Sequence, residues 1–206
     1  MRVPLPPLPP VSAWGDEPTG RSMLDILTDE HRQALALCAR LDAAAAGPGR
    51  ARVADVLTAV ISRHLSAERQ YLYPTVRAVL PDGERIAAAE TAAGRRLLCT
   101  LRRLAAARGA GGQAYRRLVV ALRAELQRHA DEAEQRVLPR LREVCRDADL
   151  VRLGNRILVA EEAAPTRPHP RAPDRPPWNK LVDPVLGVAD KLRDVLTRRV
   201  TYPADL

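Results

Sequence analysis

HLSAERQYLYP, from His64 to Pro74, returns in outline 65 residues later as HADEAEQRVLP, from His129 to Pro139. The His, the Gln six residues on and the Pro ten residues on all keep the same offset, from 64 to 129 and from 74 to 139. A repeat of this kind points to a duplicated helical hairpin, each copy setting its histidine at a matching depth. In the first copy Val53, Val56, Leu57, Val60, Ile61, His64, Leu65, Glu68, Tyr71, Leu72 and Val76 step by three and four residues for six turns. That rhythm is the apolar stripe of a long amphipathic helix, and His64 and Glu68 lie on it one turn apart.

The remaining elements follow outward from this helix. Ser22, with Asp25 three residues on, caps a first helix over residues 22–43, marked by Met23, Ile26, Leu27, Ala34, Leu37, Cys38 and Leu41. Gly47-Pro48-Gly49 separates it from the second helix, and Leu80-Pro81-Asp82-Gly83 turns the chain into a third, which ends at Gly109. A fourth helix runs over 113–145 with Leu118, Leu122, Leu126, His129, Val137 and Leu141 on one face. No strand pattern intervenes. The expected fold class is all-α: an up-down-up-down four-helix bundle with a short fifth helix over 149–162 and a C-terminal amphipathic segment. The expected organisation is a Pro-rich arm over 1–20, the bundle over 21–147, and over 148–206 the fifth helix, a Pro-rich linker and the last amphipathic helix, which docks on the bundle or on a partner.

Composition narrows the function. The chain has 206 residues, 46% of them hydrophobic, only 3% aromatic and none of them Phe, so Leu, Val, Ile and Ala must fill the core. Its 33 basic and 25 acidic residues leave a net charge of +8, enough for weak attraction to polyanions. The arginine pairs fall on solvated helix faces without interleaved aromatics, which argues against nucleic-acid binding. No apolar run reaches a membrane span and MRVPLPPLPP is no signal peptide, so the reading is a soluble cytoplasmic protein. Cys38, Cys99 and Cys145 form no metal-type pair and no disulfide framework.

Chemistry enters through the buried face. His31, His64 and His129 fall in the apolar phase of three different helices, and Glu68 joins them. Buried imidazoles and a buried carboxylate either satisfy one another or share a cation, since an unpaired carboxylate in a core costs several kcal/mol or takes up a proton. Three convergent imidazoles with a carboxylate favour the cation. Nitrogen and carboxylate oxygen without thiolate suit iron, manganese or zinc, with non-haem iron first. His169, in RPHP, lies outside the pattern and is expected to face solvent.

LTDEHR around His31, HLSAERQYLYP and HADEAEQRVLP, in this order and spacing, resemble the hemerythrin HHE cation-binding domain, a four-helix bundle that holds a non-haem di-iron centre. The segment from Ala164 to Arg199 also resembles the tail of actinobacterial hemerythrin-domain proteins. The resemblance puts the first-helix ligand on His31, the second-helix His and bridging carboxylate on His64 and Glu68, and the fourth-helix His on His129. It also exposes departures. The third-helix His falls on Gly94, the Glu four residues after the last His falls on Ala133, and the further His seven after the helix-two His falls on Tyr71.

Substitutes are therefore expected. Glu132, about 60° from His129 around an ideal helix, can turn inward; Glu134, five residues after His129, matches the His-to-Asp spacing of animal hemerythrins but points further away by ideal phase, and the choice between the two stays open. Tyr71 can bind ferric iron as a phenolate or place its hydroxyl on Glu68. The expected cofactor is non-haem iron, mononuclear or an asymmetric pair, with manganese or zinc as substitutes. The expected function is to bind or react with O2, peroxide or NO at this incomplete site. Two alternatives stand beside it: an oxidative biosynthetic enzyme that uses the space at Gly94 for an organic substrate, and a metal-free helical interaction module. A homodimer through the terminal helix is open.

Overall fold

A computed structural model describes residues 18–107, 112–173 and 178–206. Most of the expected Pro-rich arm, the tip of the loop near Gly109 and part of the second Pro-rich segment lie outside the described residues.

The chain is an all-α bundle. Helix α1 spans Met23–Ala43, and the Ser22 side chain accepts a hydrogen bond from the Asp25 N–H at 3.2 Å, as its capping position requires. The second rod runs as α2, Pro48–Ala67, and α3, Tyr73–Val79, joined without a break through a wider π-helical turn over Glu68–Leu72. Helix α4 is Gly83–Ala106. The fourth rod repeats the second: α5, Gln113–Glu132, a π-helical turn over Ala133–Val137, and α6, Leu138–Val144. Helix α7, Asp147–Ala163, lies against α1 and α2, and α8, Trp178–Leu196, packs on α7 and on the π turn of the second rod.

The two π turns occupy equivalent places in the repeat, from 68 to 133 and from 72 to 137. Each is closed by an N–H reaching five residues back, Tyr73 to the Glu68 carbonyl and Leu138 to the Ala133 carbonyl. The next residue in each case is a proline, Pro74 or Pro139. Proline has no N–H, and its ring crowds the carbonyl four residues earlier, so the last turn before it opens by one residue. The extra residue resets the helical phase beyond it.

A polar layer divides the core. Met23 and Leu27, Leu72 and Val76, Ile86, and Val137 and Leu141 join Leu153 and Ile157 at one end. Leu37 and Leu41, Leu57 and Ile61, Leu97 and Leu101, and Leu122 and Leu126 form the other. Between these stretches on the four rods lie His31, His64 with Glu68, Glu90, and His129, all buried. The three cysteines are free thiols.

Helix α8 docks on the bundle in a way the amphipathic pattern does not suggest. Its buried residues are Asn179, Asp183, Gly187, Asp190 and Asp194. Ser66 donates to Asp183, Arg69 lies 3.7 Å from the same carboxylate, and Asn179 donates to the Arg69 carbonyl at 3.1 Å. Arg167 donates to Asp194 at 2.6 Å, and Arg199 reaches both Asp55, at 2.7 Å, and Asp194. His169, expected in solvent, is half-buried with Nε2 3.0 Å from Asp190. A Cβ at Gly187 would lie 2.1 Å from the Ala163 carbonyl oxygen, so only glycine allows this approach.

Candidate metal centre

One ligand atom each from His31, His64, Glu68 and His129 lies within 4.8 Å of the others, and all four residues are buried. The imidazole centroids are 4.8 to 5.6 Å apart with their planes near perpendicular. Nε2 of His64 is 3.4 Å from Nε2 of His129. Glu68 sits below both, with Oε1 3.4 Å from His64 Nε2 and Oε2 3.3 Å from His129 Nε2. Three helices thus aim three imidazole nitrogens at one carboxylate.

The outer nitrogen of each ring is held by a carboxylate from another rod. His64 Nδ1 is 2.8 Å from Glu30 Oε2, His31 Nδ1 is 3.0 Å from Glu134 Oε1, and His129 Nδ1 is 3.4 Å from Glu90 Oε2. Such a partner fixes the tautomer and swing of an imidazole and makes its inner nitrogen a better electron-pair donor. Tyr73 completes the shell by donating its hydroxyl to Glu68 Oε2 at 2.8 Å.

The electrostatics follow from burial and proximity. Burial, with His64 and His129 beside it, pushes the His31 imidazole down to about 2, so it stays neutral. Burial opposes charge on His64 and His129 too, but Glu68, with Glu30 and Glu90 respectively, outweighs it and raises both. Burial alone would raise Glu68; the two histidines overcome it and hold the carboxyl well below its ordinary range. On the outer side, burial and the neighbouring Glu30 carboxyl lift Glu161 to about 9, so it keeps its proton at neutral pH. Glu30 and Glu161 also line a cavity of about 170 Å³ with Gln33, Val60, Arg63 and Tyr202, which brings it to the residue that holds His64.

This donor set fits a cation. His31 Nε2 is buried without a hydrogen-bond partner, and Glu68 Oε1 has only the long 3.4 Å approach of His64 Nε2. Buried polar atoms are rarely left so. Two imidazole nitrogens 3.4 Å apart can form a hydrogen bond only if one carries the proton, whereas a metal among the three rings accepts all their electron pairs at once. Neutral nitrogen and ionised oxygen are the donors that iron, manganese and zinc share.

The other expected site residues lie elsewhere. Tyr71 is outside the cluster, its ring under Lys180 Nζ at 4.7 Å, because the π turn carries residue 71 off the face of His64 and Glu68 and brings Tyr73 onto Glu68. Glu132 turns outward to Arg136 at 3.3 Å. Glu134, which ideal phase disfavours, reaches His31 because the turn containing it is π-helical. The space expected at Gly94 is taken by Leu65, whose Cδ2 lies 3.2 Å from where a Cβ would stand. What α4 brings to the site is Glu90, four residues earlier. Sequence reasoning missed Glu30, Glu90 and Tyr73. Glu30 and Tyr73 left faint signals, next to His31 and just before Pro74, and Glu90 left none.

Comparison with known proteins agrees with this centre. A curated relative, an uncharacterized hemerythrin-like protein of Schizosaccharomyces pombe, is 30% identical over 73 residues. The match covers 35% of this chain and 36% of that protein, so the chain spans about a third of the length of the relative it matches. No solved structure matches the chain. Residues 22–141, more than half of the chain and all but the last turn of the four-rod bundle that carries the His/Glu cluster, match the hemerythrin HHE cation-binding domain, and the chain belongs to that family.

Proposed function

We propose that the protein holds non-haem iron at His31, His64, Glu68 and His129 and binds or reacts there with a small oxidant or diatomic ligand: O2, peroxide or NO. The observation that carries this reading is the buried convergence of one ligand atom each from His31, His64, Glu68 and His129, with His31 Nε2 left without a hydrogen-bond partner. Bound iron would supply the exchange of electrons with such a ligand. The chain's own residues do the rest. Glu30, Glu134 and Glu90 orient the imidazoles, Tyr73 holds a proton at Glu68 Oε2, and the apolar stretches above and below keep bulk water away. Four protein ligands are enough for one metal with an open position. The ring of outer carboxylates supplies the oxygens that a second, less tightly held metal would need.

The test is anaerobic loading with iron(II), followed by O2, hydrogen peroxide or NO while the visible spectrum is recorded. The expected result is a new absorption band that appears in the wild type and is absent in His64→Ala. A loaded protein whose spectrum none of the three changes contradicts the reading.

A further inference from the structure

The carboxylates of α8 all face the bundle, so its apolar stripe cannot turn inward. Trp178, Leu181, Val185, Val188, Leu192 and Val195 step by 3, 4, 3, 4 and 3 residues along it. Together with Leu196 they are 60–77% exposed. Asp183, Asp190 and Asp194 are held by Ser66, Arg167, His169 and Arg199, and Gly187 sits against the Ala163 backbone. The outward stripe is therefore fixed by the opposite face.

We infer that this stripe pairs with the same stripe of a second copy of the chain, with the two α8 helices antiparallel across a two-fold axis between Val185 and Val188. Three features support that occupant. A 3-4-3-4-3 spacing reads the same in both directions, so a two-fold lays it on itself, as an interface between identical subunits requires. In that register Trp178 meets Val195 of the partner subunit, Leu181 meets Leu192 of the partner subunit, and Val185 meets Val188 of the partner subunit, so the largest side chain faces a small one. The step is also the one by which side chains of one helix seat between those of another.

Area and charge agree. Seven side chains exposed to this degree present roughly 700 Å² of apolar surface, more than a monomer usually leaves in one patch and about what one subunit contributes to a standard interface. Of the positions flanking the stripe, Val182, Pro184, Ala189 and Leu196 carry no charge. The two-fold sets Lys191 opposite Val182 of the partner subunit, so no like charges meet at the seam. The pairing involves no residue of the metal cluster and stands or falls independently of it.

The experiment is sedimentation equilibrium of the full chain at micromolar concentration, with floatation on vesicles of mixed neutral and anionic lipid run in parallel. The wild type is expected to be a dimer that stays in solution. Leu181→Glu should be a monomer of unchanged helicity, since the side chain is exposed on each subunit. Adding Leu192→Lys to Leu181→Glu should restore the dimer, because the antiparallel register makes two ion pairs across the axis. A monomeric wild type, a wild type that floats with vesicles as a monomer, a dimer that survives Leu181→Glu, or a double variant that stays monomeric overturns the inference.

Discussion

At the scale of single residues, the centre depends on which side chain reaches which oxygen. Tyr73, not Tyr71, donates to Glu68, so Tyr73→Phe leaves one side of a buried carboxylate unanswered and should cost about 1–3 kcal/mol. Tyr71→Phe should change stability by less than about 0.5 kcal/mol, since that residue is half-buried and away from the cluster. Urea unfolding of both variants without added metal separates them; equal costs would contradict the assignment. Glu30→Ala removes the 2.8 Å partner of His64 and should weaken metal binding about 10- to 100-fold, whereas Glu132→Ala should leave it unchanged, as competitive chelator titration will show. Gly94→His would restore the side chain that the family resemblance expects. With Leu65 Cδ2 3.2 Å from the new Cβ, it should instead destabilise by about 1–3 kcal/mol through overpacking, and Leu65→Ala should relieve part of that loss.

At the scale of elements, the two π turns decide how much of the site a sequence can reveal. His31, His64, Glu68 and His129 precede or open those turns, and ideal helical phase places all four on the apolar face. Tyr73 follows one π turn and Glu134 lies within the other, so the same arithmetic sends them away and favours Tyr71 and Glu132. Pro74 and Pro139 are the visible cause, but a proline can also kink or end a helix, and only the backbone shows that it opens one turn here. Glu90 was beyond reach for another reason: an isolated Glu on α4 gains its meaning from His129, 39 residues away. The inverted docking of α8 was equally hidden, because an apolar stripe on a terminal helix ordinarily faces the core.

The repeat also needs its connecting turn held. The Arg140 guanidinium on α6 keeps the Asp82 carboxyl at about 2, below its ordinary 3.8, which ties the α3–α4 turn to the end of the fourth rod. A carboxyl lowered on folding adds stability above its unfolded value and loses it as pH falls through the folded one. The melting temperature should therefore drop between pH 4 and pH 2, and Arg140→Gln should flatten that part of the drop. An identical pH profile in the variant would contradict the tie.

Over the whole molecule, two greasy ends enclose one charged storey, and every rod passes through it. All-α class, four rods and their order were legible because stripes and breakers are local signals. The division of the core was not, since it exists only once the rods are side by side. A protein of this size has a net stability of only about 5–15 kcal/mol, and a buried layer of three imidazoles and several carboxylates weighs heavily against it unless something binds there. The account rests on a metal being that something. The most direct measurement is equilibrium dialysis of the full chain against iron(II), and in parallel against manganese(II) and zinc(II), under anaerobic conditions, with bound metal counted by elemental analysis and thermal unfolding followed on the same samples. One or two tightly held ions per chain, a higher melting temperature, and loss of both in His64→Ala and Glu68→Ala are predicted; no retained iron, manganese or zinc and a melting temperature indifferent to all three would contradict it.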